Sequence, residues 1–350
     1  MGVALAAVAA VAFGAPAALL DAPAAVCPDP FDFLAPSIEI GARDRDRLAS
    51  GEPLVRVLKG EGREVAVLGA VEVDFDGDRL AAWMRRIEEL KKSDQVPAVG
   101  RFSIPPAVAD VAELKLEDRD LEDLRTCRVG RCDLKLTSDE ITRLQPELAA
   151  LGRDWKPAAE EAFRRVLVAR VAAYRGGGLA ALGTYADGHS EDSLADIARA
   201  LLDRSPYLLE GAPALVEAIL RHADGRLPGA DSFIYWSTDR FGGRPVTSAT
   251  HLTIVRPGAP EMPDAMVVGR QIFATHYQNG SLSLTLLLRG CPGPPNYLVY
   301  ISRSEVDVIR GLLGWLARRV IQGRVEDEAG ALLTGLRDRL SRQPSGGAGS

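Results

Sequence analysis

Two cysteines separated by four residues have the clearest chemical potential in this sequence. Cys127 and Cys132 enclose Arg-Val-Gly-Arg. A zinc site needs four ligands, and no second Cys/His pair stands at a ligand spacing, while redox centres usually place two residues between their cysteines. In an oxidising compartment such a close pair forms a structural disulfide, which we expect here. Cys27 and Cys291 either pair with each other or stay single.

Two histidines, His251 and His276, lie within predicted strands and could serve either a ligand site or a hydrogen-bonded sheet. Side chains alternate between the two faces of a strand, so residues two apart share a face. If those faces line a cavity, they supply the few polar groups of an otherwise apolar ligand site. The residues placed to do so are His251, Thr253, Gln271, Thr275 and Tyr277.

A third set of polar residues spans the end of the last predicted strand and the start of the helix predicted after it. It consists of Tyr300, Arg303 and Asp307. The planar fork of Arg303 could hold a ligand carboxylate or phosphate at a cavity mouth. The alternative is a salt bridge or helix cap that fixes the junction. We therefore include Tyr300 and Arg303 among the candidate ligand-binding residues.

The bulk composition is that of a globular protein with an ordinary core. Of 350 residues, 47% are hydrophobic and 26% are charged, and the net charge is -6. A nucleic-acid partner is not expected, because a phosphate-binding surface needs a basic surplus. Nothing in the sequence resembles a nucleophile elbow or a zinc-protease helix, so we predict no catalytic residue, metal or other cofactor.

The N-terminus has the pattern of an export signal. Residues 3–20 are almost wholly apolar, and Ala22 and Ala24 fit the small-x-small cleavage pattern. We predict a cleaved signal peptide over 1–25 and a periplasmic or extracellular location, with an uncleaved anchor or a buried helix as the alternatives. Residues 26–53 are predicted as an extended lead-in, and 343–350 as a disordered tail.

The remaining elements form a recognisable order. A predicted hairpin is followed by a helix, an extended segment and a helical region over 108–224; five strands come next, and then a long helix capped by Ser304. The apolar stripe of that helix is Val308, Leu312, Leu316 and Val320. The hairpin strands are Leu54–Leu58 and Glu64–Asp74, the extended segment is Val96–Ser103, and the five later strands are Phe233–Ser237, Ser248–Arg256, Met266–His276, Leu282–Leu288 and Tyr297–Ser302.

This order resembles the START-like, helix-grip (polyketide cyclase-like) superfamily. The resemblance implies an α+β fold in which a curved antiparallel sheet wraps around a long C-terminal helix and an apolar cavity. The domain would span 54–342, with 108–224 as a helical insertion. Residues 123–136, 276–277 and 300–304 are also similar to a group of uncharacterised exported bacterial proteins.

The superfamily implies binding of lipids, sterols or other hydrophobic molecules in the cavity. We therefore expect an exported, non-catalytic binding or transfer protein whose partner is a hydrophobic or amphipathic, lipid-like small molecule. One alternative is an enzyme of the same fold, a cyclase or hydrolase that uses His251 or His276. Another is a protein-interaction module acting through the helical insert. Trp315, Arg318 and Arg319 could also make a peripheral membrane contact.

Overall fold

The computed structural model describes residues 27–188, 193–221, 227–240, 243–291, 293, 295–307 and 329–342. One eight-stranded sheet, with every neighbouring pair antiparallel, organises them in the order β1-β2-β8-β7-β6-β5-β4-β3. The strands are β1 (Leu54–Leu58), β2 (Glu64–Val73), β3 (Ala98–Arg101), β4 (Asp231–Asp239), β5 (Val246–Val255), β6 (Ala265–Ala274), β7 (Gln278–Leu288) and β8 (Asn296–Val306).

Helices cover both faces of this sheet. They are α1 (Ala42–Ala49), α2 (Gly77–Met84), α3 (Ile87–Lys91), α4 (Asp118–Thr126), α5 (Ser138–Ala149), α6 (Trp155–Gly177), α7 (Leu194–Asp203), α8 (Pro206–Gly211), α9 (Pro213–Arg221) and a last helix, α10, over residues 329–341. The α+β class and the antiparallel sheet are therefore as predicted. So is the helical character of the insert, where the structure describes it.

The N-terminal strands flank the C-terminal meander on both sides. Strand β2 pairs with β8 along ten residues, from Glu64 opposite Glu305 to Val73 opposite Asn296. Strand β3 pairs with β4 at the other end of the sheet. The two parts of the chain thus share one antiparallel sheet, as the resemblance implied.

Each face of the sheet has its own apolar core. On one face, here called the insert face, Leu68, Leu284 and Ile301 pack under α7–α9 and the N-terminal segment, and Trp236 and Phe273 pack under α4–α6. On the opposite face, here called the groove face, the strands pack against α2, α3 and α10. The main contacts there are Val71, Tyr235, Leu252, Val267, Leu298, Trp83, Leu90 and Leu340.

Several helix starts follow local capping rules. The Asp76 carboxylate accepts the Arg79 backbone N–H at 2.9 Å, which caps α2. Thr137 and Glu140 form a capping box at the start of α5, and Ser193 caps α7. Each cap satisfies amides that the helix itself leaves without partners.

Ser304 does not cap a helix, which corrects the sequence prediction. It lies in β8, opposite Val65 of β2 and Ser281 of β7. Hydrogen bonding to strands on both sides extends β8 to Val306 and outweighs the local capping pattern. The predicted stripe from Val308 to Val320 and the proposed membrane contact at Trp315 lie outside the described residues.

The predicted lead-in is more structured than an extended segment. Its described part contains α1, and Leu34 and Leu48 are fully buried in the core. The sequence prediction missed α1 because its pattern of alternating Arg and Asp residues contains little apolar periodicity. The predicted signal peptide and tail lie outside the described residues.

Both cysteine pairs are disulfide-bonded. Cys127 bonds Cys132 as predicted, and Cys27 bonds Cys291, which decides between the alternatives left open for those two. The disulfides agree with an oxidising environment. Among the helices that the structure describes, none has the length and apolar character needed to span a bilayer.

Candidate functional site

An open groove of about 500 Å³ lies between the sheet and α10 on the groove face. Strands β2 and β8 form its floor, and α10 forms one wall. Its lining is Val65, Val67, Gly69, Gln278, Tyr300, Ser302, Ser304, Val306, Ala329, Leu332, Leu333 and Leu336.

The register of β2 and β8 gives the floor its mixed chemistry. Ser304 lies opposite Val65, and Ser302 lies opposite Val67. Tyr300 lies opposite Gly69. Because alternate residues of a strand point to one face, a row of three hydroxyl groups runs beside a row of small or apolar side chains.

The α10 wall of the groove is apolar. It is formed by Leu332, Leu333 and Leu336. Leu336 follows the other two leucines by four and three residues, so all three lie on one side of α10. Leu332 is 54% exposed and therefore leaves apolar surface in the groove. Among the described lining residues there is no charged side chain.

A charged group lies beyond the floor on the same face. The Lys91 ammonium donates to Ser237 Oγ at 3.1 Å and lies 3.4 Å from an Asp239 carboxylate oxygen. It also lies 5.4 Å from the centre of the Tyr235 ring. Burial alone would lower the pKa of Lys91, but Tyr235 and Asp239 outweigh it and raise that pKa. Lys91 is therefore a charged, internally paired group.

The structure separates the predicted ligand-binding residues. Tyr300 lines the groove, and Gln271 lies on the same face of the sheet, where it donates to the groove residue Gln278. Three others point to the insert face: His251, Thr253 and Arg303. In register, Ile234, His251, Arg270, Leu282, Arg303 and Ala66 form one row on that face.

Arg303 takes the salt-bridge role that the sequence left as its alternative. Its Nη1 donates to Glu64 Oε1 at 2.6 Å, and both side chains are buried. Burial alone would lower the pKa of Arg303, but Glu64 and Tyr207 raise it. The guanidinium is thus committed to an internal carboxylate on the face away from the groove.

His251 is buried in a polar cluster beneath α6. Its Nδ1 lies 2.7 Å from the Tyr174 hydroxyl and 3.3 Å from Arg270 Nη2, and its Nε2 hydrogen-bonds Ser232. A guanidinium can only donate, so Nδ1 accepts and Nε2 carries the proton. This neutral tautomer donates to Ser232 and cannot take its proton as a general base would.

The residues after β6 fix a turn against the insert. Thr275 Oγ1 accepts the Thr247 backbone N–H at 3.0 Å, and the Tyr277 hydroxyl accepts that of Arg244 at 3.3 Å. His276 donates from Nδ1 to the Asp133 carbonyl at 2.9 Å. These contacts are structural, and they place Thr275 and Tyr277 outside the groove lining.

Sequence reasoning missed the apolar half of the groove. The alternation of Val65 and Val67 was visible, but it did not reveal which face of β2 would meet α10. The helical spacing of Leu332, Leu333 and Leu336 predicts a helix here, but it does not show that this helix packs over β2. No group of acidic, histidine or cysteine side chains able to hold a metal occurs within the described parts of the chain.

The chain matches no protein-family model, no curated protein and no solved structure.

Proposed function

We propose that this protein binds or transfers an amphipathic, lipid-like molecule in the groove between the sheet and α10, without catalysis. The observation that carries the proposal is the two-sided lining. An alkyl portion would lie against the leucines of α10 and the valines of β2, and a polar portion would reach Tyr300, Ser302 and Ser304. A volume of about 500 Å³ is within the range of small-molecule sites.

The energetics favour a ligand with a hydrocarbon segment. Each buried methylene contributes about 0.8 kcal/mol, and the exposed Leu332 offers apolar surface that a ligand would cover. The hydroxyl row supplies donors and acceptors, which fix orientation more than affinity. The chemistry of the groove supports the proposal of an amphipathic ligand.

The finer fold is part of the same proposal. The helix-grip resemblance implies a curved sheet around a C-terminal helix, and two observations support it. Strand β2 pairs with β8, and α10 packs on the same face as α2 and α3. We also propose export to the periplasm or the extracellular space, supported by the disulfides.

An enzyme that uses a strand histidine is less well supported. His251 lies on the insert face as a neutral donor to Ser232. The His276 ring nitrogens are engaged by the Asp133 carbonyl and by Asp120 Oδ1, at 2.9 and 3.2 Å. Neither histidine is among the groove-lining residues.

The test is ligand capture with a matched pair of variants. Native mass spectrometry of the purified protein, and titration with a fluorescent C16 alcohol, measure bound lipid. Leu332→Glu places a charge in the groove at a side chain that is already half exposed, so we expect at least a tenfold loss of affinity. Leu220→Glu on α9, 36% exposed, is the control and should leave affinity unchanged. Absence of lipid binding by the wild type, or equal losses in both variants, would refute the proposal.

A further inference from the structure

Arg270 is a buried cation to which the described residues offer no carboxylate. Four lysine or arginine side chains are buried in the described structure, and the other three each pair with an acid. Those pairs are Lys135 with Asp187, Arg170 with Glu140, and Arg303 with Glu64. Arg270 is 2% exposed, and its Nε and Nη1 have no hydrogen-bond partner in the described structure.

The surroundings of Arg270 are polar on one side and aromatic on another. Its Nη2 lies 3.3 Å from His251 Nδ1, and its guanidinium carbon lies 5.2 Å from the centre of the Tyr174 ring. Burial lowers the pKa of Arg270 to about 9. A buried guanidinium without a counter-ion loses its hydration and gains no ion pair in return, which is unfavourable. Among the four buried lysine and arginine side chains of the described structure, Arg270 alone has no acid that compensates for its lost hydration.

A hydrogen-bonded path connects this cation to the surface. Ser232 is exposed, and its hydroxyl bonds His251 Nε2, while His251 Nδ1 contacts Arg270. The Tyr174 hydroxyl, 2.7 Å from His251 Nδ1, is a further donor close to the guanidinium. An anion that reached this cluster would find the unpartnered Nε and Nη1 groups of Arg270 and a phenol hydroxyl that can turn to it from His251, which together suit carboxylate or phosphate oxygens.

We propose that Arg270, assisted by the Tyr174 hydroxyl, binds a small oxyanion, a carboxylate group or inorganic phosphate, on the insert face of the sheet, while His251 holds Arg270 Nη2 in place. The side chains of Arg270, His251 and Tyr174 are all buried, so the site suits only a ligand of few atoms. The site lies on the face opposite to the groove, so anion binding and lipid binding can be tested separately.

The test is anion-dependent thermal stability of the full protein. Sodium acetate and sodium phosphate are each titrated at constant ionic strength, with chloride as the balancing salt. We expect a saturable rise in Tm with one or both oxyanions in the wild type, because a ligand that binds only the folded state stabilises it. The same rise is expected in Arg199→Met, which removes an exposed arginine on α7, and none in Arg270→Met. Saturation by acetate alone identifies a carboxylate site, and saturation by phosphate alone a phosphate site.

A second variant keeps the test decisive if Arg270→Met does not fold. Tyr174→Phe removes one hydroxyl donor and should weaken the apparent anion affinity by about tenfold, since a hydrogen bond to a charged group contributes 1.5–3 kcal/mol. The proposal is overturned if neither oxyanion raises the wild-type Tm above chloride. It is also overturned if Arg270→Met or Tyr174→Phe shows the full wild-type response.

Discussion

Leu333 of α10 lies directly against Gly69 of β2. A Cβ atom on residue 69 would stand 2.6 Å from Leu333 Cδ1, well inside normal contact distance. Leu333 is only 6% exposed, so this contact holds α10 on the sheet beside the groove. A glycine in the middle of a strand packs poorly by itself, and the close approach of Leu333 explains its presence there.

Substitution of Gly69 is therefore expected to loosen α10 while leaving the sheet intact. Gly69→Ala requires only a shift of the Leu333 tip, whereas Gly69→Val should displace Leu333 and reduce lipid affinity by about tenfold, the equivalent of 1.4 kcal/mol. Hydrogen exchange should be faster across residues 329–341 in Gly69→Val. Gly152→Val is the control, because no atom lies within 4 Å of a Cβ there. Unchanged exchange in Gly69→Val would contradict this docking role.

Lys135 should be among the most costly charged residues to replace. Its ammonium lies 2.8 Å from Asp187 and 2.7 Å from Asp307, and the side chain is 1% exposed. Lys135→Met leaves the buried Asp187 and the partly buried Asp307 without this cation, so we expect a loss of about 3–5 kcal/mol in the free energy of unfolding. Urea denaturation measures it.

The matched control for Lys135 is Lys115→Met. Lys115 pairs with Glu160 at 3.2 Å, but its side chain is 74% exposed. Exposed pairs contribute less than about 1 kcal/mol. Similar losses in the two variants would show that burial does not set the strength of the Lys135 interactions.

The two disulfides are expected to differ in their contribution to stability. Cys127 and Cys132 close a loop with a separation of 5 residues, and Cys27 and Cys291 one of 264. In the chain-entropy description, the short loop contributes about 2 kcal/mol and the long loop about 5 kcal/mol. Paired Cys→Ser variants, compared by urea denaturation, should follow that order. The reverse order, or free thiols in the denatured unreduced protein, would disprove this expectation.

Asp264 should make stability fall in acid. Burial alone would raise its pKa, but the Gly77 N–H, Arg256 and Arg289 lower it below 3.8. A carboxyl whose pKa is lower in the folded state stabilises the protein fully above its unfolded pKa. That stabilisation is lost as the pH falls through the folded pKa.

The Asp264→Asn variant tests this sign. Its free energy of unfolding should lie furthest below that of the wild type near neutral pH, and the difference should shrink below pH 4. Asp94→Asn, an exposed position, serves as the control with no such trend. A difference that is constant between pH 7 and pH 2.5 would exclude the Asp264 ionisation as its source.

The local pattern of the sequence predicted most of the sheet. The alternating valines of Glu64–Asp74 predicted β2, and the short apolar runs between turn residues predicted the later strands, because these signals act within a few residues. The cysteine pair at 127 and 132 was predicted for the same reason. Such features need no knowledge of the distant chain.

The site depended on contacts that local patterns do not encode. Arg303 pairs with Glu64, 239 residues away, so its role was decided by the pairing of β8 with β2. The same pairing extended β8 through Ser304 and overrode a capping signal. The face on which His251 lies followed from the position of α6, which places Tyr174 over it.

The position of β2 beside β8 also has a consequence for how the protein folds. Among the described strands, only β8 (Asn296–Val306) pairs with the β1–β2 hairpin, so during synthesis the hairpin waits for β8 to be made. Such distant pairing makes folding slow, because a long loop must close before any contact compensates for it. The nascent hairpin therefore presents an unpaired edge for most of synthesis, and a chaperone that shields it would raise the yield of native protein.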